Sequence, residues 1–259
     1  IKYKSYAYRK SPSGKDIALD GTRVTKIFKF DHEERGLYES DLNPETRTLI
    51  DRYTESDEIS VGHRTLFIDI EVDIENGFPT PEEAQNEVTS IAIYDAAGDE
   101  RFVWILDKDQ TVITTDKVNI DFFDIPYLYN RMCRILGEQT ARSLSPIKDV
   151  IWLKHRNRYR ISGVSCLDYM ALYKNFTYNE ESSYSLEAIS QKELGKGKLQ
   201  YEGSLDDLMK ADINKYVDYN MNDVDLVVEI DEKMKLLDLA RGICHKGHVP
   251  YEDVYYASK

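Results

Sequence analysis

From Leu66 to Val72 the chain reads Leu-Phe-Ile-Asp-Ile-Glu-Val, an apolar run with carboxylates at Asp69 and Glu71. Its apolar, β-branched character and short length predict a strand over about 66–72. A second such pattern follows. Val88 to Tyr94 predicts a strand, Ala96 to Asp99 a turn, and Arg101 to Leu106 the returning strand. Three neighbouring strands of this kind predict an antiparallel meander.

The period then changes. Ile125, Leu128, Met132, Ile135 and Leu136 follow helical spacing, with Pro126 near the start, where a helix tolerates it. Short strands are predicted near 150–153 and 159–164, joined by a basic tip, "KHRNR". "SYSLEAISQKEL" predicts a short amphipathic helix ending at Gly195, and Ser204 with Asp207 predicts a capping box in which Asp replaces Glu. A long helix is expected over roughly 212–238. Before all this, residues 1–64 are polar and aromatic-rich. Ile1-Lys2-Tyr3-Lys4 alternates like a strand already under way, as in a trimmed chain. Ser11 to Gly14 predicts a turn. Pro44 opens a helix with Leu49, Ile50 and Tyr53 on one side, and a boundary falls near Gly62. The order of elements is α/β in character, with a mixed sheet. No internal repeat or low-complexity tract interrupts it.

Composition narrows the class. The 259 residues are 41% hydrophobic and 31% charged, enough for a core and against global disorder. No run approaches the roughly 18–20 apolar residues of a membrane span, and no N-terminal signal pattern is visible. Cys133, Cys166 and Cys244 are odd in number and widely spaced, so a reducing, cytoplasmic compartment is the simpler reading. Cys244-His245-x-x-His248 has no second half-site to complete a zinc centre. The formal net charge of −13 argues against a free-standing nucleic-acid coat protein. It does not exclude an enzyme that binds DNA through a local site.

The acids change the picture most. On a strand, Asp69 and Glu71 point the same way as Phe67, and Ile68, Ile70 and Val72 point the other way. Two adjacent carboxylates on a half-buried strand repel each other and lose hydration. A divalent cation relieves both costs, and oxygen ligands favour Mg²⁺ or Mn²⁺ over zinc. The competing reading is a strand with a wet polar face. "NIDFFDIP" supplies Asp124 at a helix start, where an ordinary N-cap is the simpler explanation in isolation. "YNMND" places Tyr219 and Asp223 one turn apart on one helix face, which in isolation also fits an ordinary helix.

Taken together, the order D-x-E, N-x-x-x-F-D, Y-x-x-x-D resembles the motifs of the DEDDy 3′–5′ exonucleases, which have a ribonuclease H-like fold. "LFIDIEVDIENGFP", "NIDFFDIPYLYNR", "SCLDYMALYKNF", "SYSLEAIS" and "YNMND" resemble the proofreading domain of family B DNA polymerases of the T4-like phage type. "YESDLNPETRTLIDRY" resembles the approach to that domain. The resemblance implies a fragment with a partial α+β N-terminal domain at 1–64, the exonuclease domain at 65–236, and a return segment at 237–259.

The roles it implies follow motif by motif. Asp69 would bridge two divalent cations, Mg²⁺ or Mn²⁺. Glu71 and Asp223 would complete the site of the attacking water, Asp124 would serve the second cation, and Tyr219 would orient the water. Phe78 stands where an aromatic stacks on the frayed 3′ base. Asn119 and Phe123 would contact the substrate strand. The "KHRNR" tip falls where these enzymes carry a strand-separating hairpin, though a solvated basic loop explains it as well. The implied substrate is the single-stranded 3′ end of a DNA primer. The implied partners are a sliding clamp and replisome proteins, reached through parts outside this chain, and the implied place is the host cytoplasm.

The chain also departs from the family pattern. "DKDQTVITTDKVNID" runs into the second motif without the usual Gly-Trp and reads as two pieces joined across missing chain. "SPIKDVIWLKHRNRY" suggests a similar loss. The polymerase signatures D-T-D-S, S-L-Y-P-S and K-x-x-x-N-S-x-Y-G are absent, so this stretch could not polymerise by itself. Two rival readings stand beside the proofreading one. One is a free-standing DEDDy nuclease on DNA or RNA, and the other a catalytically silent DNA-binding module.

Overall fold

The computed structural model describes residues 5–31, 34–56, 62–75, 77–106 and 124–256. The chain divides into two compact units, Ile1–Ser60 with Gly242–Lys259, and Val61–Arg241.

In the first unit, β1 (Ala7–Lys10), β2 (Asp16–Ile17), β3 (Arg23–Ile27) and β4 (Leu37–Tyr38) form an antiparallel sheet in the order β2-β3-β1-β4. The expected turn is present, with Gly14 N–H donating to the Ser11 carbonyl at 2.9 Å. Helix α1 (Pro44–Tyr53) starts as its sequence predicts. Asn43 caps it by accepting from Thr46 N–H, and Pro44 stands in the first turn. Its most buried positions are not its apolar ones. Thr46 and Arg47 are buried, whereas Tyr53 is half exposed. The Arg47 guanidinium lies 4.3 Å from the centre of the Tyr6 ring and pairs with Glu39, so a cation–π contact and an ion pair set this face rather than the aliphatic stripe.

In the second unit, β5 (Leu66–Val72), β6 (Val88–Asp95) and β7 (Glu100–Ile105) form the expected antiparallel meander in the order β5-β6-β7. Register pairs Asp69 with Ala92 and Glu71 with Ser90, and an irregularity follows Glu71. Helices follow: α2 (Asp124–Leu136), α3 (Glu138–Ala141), α4 (Tyr169–Phe176), α5 (Leu186–Leu194), α6 (Leu205–Ala211) and α7 (Ile213–Met234), and then α8 (Leu236–Gly247), which runs past the division at Arg241. The hairpin of β8 (Val150–Leu153) and β9 (Arg158–Ile161) lies between α3 and α4, with Asn157 in the left-handed region at its tip. The second strand ends earlier than expected, because the chain turns at Ile161 and Val164 N–H returns to its carbonyl.

The two faces of the meander bury different helices. Ile70 and Val72 pack with Ala84, Tyr127 and Leu128, so α2 covers that face. Ala92 packs with Val224 and Val228, with Phe67 against them, so α7 covers the face that carries Asp69 and Glu71. Full burial of each large apolar side chain contributes about 1.5–3 kcal/mol. In α2 the stripe is shorter than its spacing suggests. Tyr127, Leu128 and Tyr129 are buried, but Ile135 and Leu136 are exposed. The capping box at Ser204–Asp207 forms as predicted, and Gly195 ends α5 in the left-handed conformation. The long helix expected over 212–238 is broken. Lys235 adopts φ 55°, closing α7 and starting α8. Asp231 secures the break, because its Oδ1 accepts from both Leu237 N–H and the Tyr169 hydroxyl.

Candidate active site

Sequence places Asp69 and Asp223 154 residues apart, and the fold brings them together. Strand β5 presents Asp69 and Glu71 to α7, which carries Tyr219, Asn220 and Asp223 on the inward side. Asp124 opens α2 and is buried. Asp69, Asp223 and Lys198 line one end of a cleft of about 540 Å³ between α4, the 182–185 loop, α5 and α7. Asn119 and Phe123 lie outside the described residues, as does the "DKDQTVITTDKVNID" junction. Phe78 is 75% exposed in the turn after β5.

The carboxylates raise one another's proton affinity. Burial pushes the Asp69 carboxyl well above the usual range, and the negative charges of Glu71, Asp124 and Asp223 push it further, with Lys198 opposing. Burial and Asp223 push Glu71 up to about 7. Asp223 is raised by burial too, against the pull of Lys198. Asp69 therefore senses acids carried by β5, α2 and α7. Among the described residues, Asp223 Oδ1 is buried and has no hydrogen-bond partner.

Sequence reasoning missed two residues here. Lys198 Nζ stands 2.5 Å from Asp223 Oδ2 and 3.2 Å from the Tyr219 hydroxyl. Burial works against the Lys198 cation, but these two partners leave its pKa raised. Its backbone is fixed as well, because Lys198 N–H donates to Glu187 Oε2 at 2.6 Å. Gly197 permits that approach, since a Cβ there would meet both Glu187 carboxylate oxygens at 2.4 Å. Nothing in "LGKGKLQ" separates Lys198 from Lys196, which pairs with Glu229 at an exposed site. The second missed residue is Asn220, fully buried, whose Nδ2 donates to Asp69 Oδ2. It sits inside the "YNMND" motif, but only the Tyr219 and Asp223 spacing drew notice.

A divalent cation fits the chemistry of this donor set. All four acids offer hard oxygens, they repel one another, and Asp223 keeps an orphaned buried oxygen. Among the described residues, no three His, Cys, Asp or Glu side chains already stand together as a metal-binding group.

Residues 99–189 match the family model of the DNA polymerase family B exonuclease domain. The chain is 31% identical over 242 residues to the DNA-directed DNA polymerase of Enterobacteria phage T4, covering 87% of this chain and 26% of that protein. It is 29% identical over 251 residues to the DNA-directed DNA polymerase of Escherichia phage RB69, covering 74% of this chain and 28% of that protein. The chain belongs to the family of T4-like family B DNA polymerases, in their exonuclease region. The exonuclease region spans about a quarter of the length of these two phage relatives. Its fold is also that of the family B DNA polymerase of the hyperthermophilic archaeon Pyrobaculum calidifontis, at TM-score 0.68 and 17% identity, over 99% of this chain and 44% of the other. The α/β, ribonuclease H-like class follows from that likeness together with the family model. The match to the family model includes Asp124 and Lys154–Arg158 but stops short of Asp69, Glu71, Tyr219 and Asp223. No helix among the described residues is long and apolar enough to cross a membrane.

Proposed function

We propose that this chain is the proofreading part of a replicative DNA polymerase. It hydrolyses the 3′-terminal phosphodiester of a DNA strand and releases a nucleoside 5′-monophosphate. One observation carries the reading: the charges of Glu71 on β5, Asp124 on α2 and Asp223 on α7 all act on the buried Asp69 carboxyl and raise its proton affinity. A polar face that was merely wet would not bury three acids against each other.

Asp69, Glu71, Asp124 and Asp223 hold two divalent cations in this proposal. When bound, the cations make a water acidic enough to attack near neutral pH and stabilise the leaving 3′ oxygen. The remaining work falls to the chain. Tyr219 stays a neutral phenol, because burial and Asp223 raise its pKa, so it orients a water or a phosphate oxygen rather than acting as a base. Lys198 donates to the Tyr219 oxygen and leaves the phenolic proton free to point toward substrate. The Lys198 ammonium also offsets part of the negative field that would otherwise repel a phosphodiester. Phe78 offers an exposed ring on which any terminal base can stack, which suits an enzyme indifferent to sequence. Asn119 and Phe123, outside the described residues, are assigned to contact the substrate strand in the same proposal.

The polymerase, clamp and replisome partners and the host cytoplasmic setting belong to the same proposal, as does the partition into 1–64, 65–236 and 237–259. The grouping of Gly242–Lys259 with Ile1–Ser60 supports a returning segment near that point.

A 5′-labelled single strand with Mg²⁺ tests the reading, beside the Asp69→Ala variant and a chelator control. The expected result is stepwise 3′ shortening, abolished by either change. Cleavage that survives chelation or Asp69→Ala overturns it. An RNA strand in parallel separates a DNA-specific enzyme from a general DEDDy nuclease.

A further inference from the structure

Asn220 is the least expected residue of the site. Its side chain is fully buried, and its neighbours along the inward face of α7 are Val217 and Val224, both apolar and buried. A leucine would fill such a place without polar groups to satisfy. An amide there requires a partner for each end. Both partners lie on the meander. Asn220 Nδ2 donates to Asp69 Oδ2 on β5, and Asn220 Oδ1 accepts from Ser90 Oγ on β6 at 2.5 Å. With Asp69 ionised, as a metal ligand is, the amide has only one way round, because the carboxylate then only accepts. Ser90 is itself 1% exposed and stands opposite Glu71 in the strand register. A chain of hydrogen bonds therefore runs from β6 through α7 to Asp69.

A carboxylate is free to turn about its last torsion unless something holds it. Asn220 holds one oxygen of Asp69 by a charge-assisted hydrogen bond, and Ser90 holds Asn220. Asp69 also lines the cleft. We propose that Asn220 is a positioning residue that fixes the orientation in which Asp69 meets the divalent cations. The proposal rests on the nuclease reading above. Ligands held by partners behind them bind metal more tightly than ligands that must be ordered on binding, commonly by about 10–100-fold.

A second hydrogen bond ties α7 to β6 and serves as the control. Thr89 Oγ1 and the Tyr216 hydroxyl stand 2.6 Å apart, both buried, with Tyr216 one turn before Asn220 on α7. If Asn220 only docks the helix, losing either bond has the same consequence. If it orients Asp69, the two losses differ.

The test measures Mn²⁺ binding to the chain by electron paramagnetic resonance, with no turnover required. It compares Asn220→Leu, Ser90→Ala, Thr89→Val and Asp69→Ala, with circular dichroism to check folding. The expected result is Mn²⁺ binding weakened about tenfold or more in Asn220→Leu and weakened less in Ser90→Ala. Thr89→Val is expected to bind as the unaltered chain does. Unchanged binding in Asn220→Leu overturns the proposal, as does an equal loss in Thr89→Val. Should Asn220→Leu fail to fold, Ser90→Ala against Thr89→Val decides by the same comparison, and equal affinities overturn the proposal. Asp69→Ala keeps the two failures apart. Undiminished binding there sinks the nuclease reading itself, whereas a loss there beside normal Asn220→Leu sinks only the role of Asn220.

Discussion

Replacing Glu71 by glutamine should make the protein more stable when no divalent cation is supplied. Burial and the Asp223 charge lift the Glu71 carboxyl from 4.5 to about 7. Each tenfold change in proton affinity corresponds to about 1.4 kcal/mol, so keeping Glu71 ionised in the folded state costs about 3 kcal/mol. The sign follows from linkage. A carboxyl whose folded pKa is raised binds its proton more tightly when folded, so its contribution to stability is complete below about pH 4.5. That contribution is lost as pH rises toward 7. Asp69 and Asp223 are raised as well and act in the same direction. At pH 8 in chelator, Glu71→Gln therefore gains about 3 kcal/mol over the unaltered chain in urea unfolding. At pH 5 the carboxyl is largely protonated in the folded protein, and the gain shrinks to under about 1 kcal/mol. Added Mg²⁺ should reverse the order, because the ionised carboxylate gains a partner that the amide cannot match. A glutamine variant that is neutral or less stable at pH 8 in chelator would show that Glu71 is not held ionised at a cost. The electrostatic basis of the site would then be wrong.

Further consequences can be measured directly. Phe78→Ala should weaken binding of a single-stranded 3′ end by about 1–3 kcal/mol, the usual worth of one stacked base, with little effect on the unfolding midpoint; fluorescence anisotropy reads the first and thermal melting the second. Lys198→Met removes the cation shared by Asp223 and Tyr219 and should lower kcat by about 10–100-fold in a single-turnover assay. An unaltered rate would remove Lys198 from the mechanism. Gly197→Ala displaces the Glu187 carboxylate from Lys198 N–H and should cost about 1 kcal/mol of stability, the worth of one hydrogen bond, together with part of the Lys198 effect on rate.

Much of the fold was legible because burial leaves a period in the sequence. The meander, the β8–β9 hairpin, α5 with its Gly195 stop and the Ser204 capping box all carry local signals that the tertiary structure respects. What was misread has a different origin. The strands β2 and β4 are two residues each, too short for any alternation to register. The inward face of α1 is set by Arg47 over Tyr6, a contact between residues 41 apart. The break at Lys235 has neither glycine nor proline to mark it, and is secured by Asp231 and Tyr169 across the fold. The acids of the site were conspicuous because charge inside an apolar run is costly and needs a reason. Lys198 and Asn220 were not, because a lysine in a polar loop and an asparagine in a helix look ordinary until the fold buries them.

The same arrangement explains why three separate elements are needed. A strand can bring two carboxylates together on one face at i and i+2, but every further residue on that face moves away along the sheet. A helix packed on the same face adds groups from a second element, and α7 contributes Tyr219, Asn220 and Asp223 within little more than one turn. Asp124 comes from α2, which packs on the opposite face of the meander, so its carboxylate reaches the others only because it stands in the first turn of that helix. The acids are thus held by two packing interfaces on either side of one short sheet. Their mutual repulsion is carried by the hydrophobic clusters around Ile70 and Tyr127 on one face and Ala92 and Val224 on the other. Loosening either cluster would let the carboxylates move apart and regain water, lowering their pKa values toward ordinary ones. Core variants distant from the chemistry should therefore shift the pH dependence of stability before they unfold the protein.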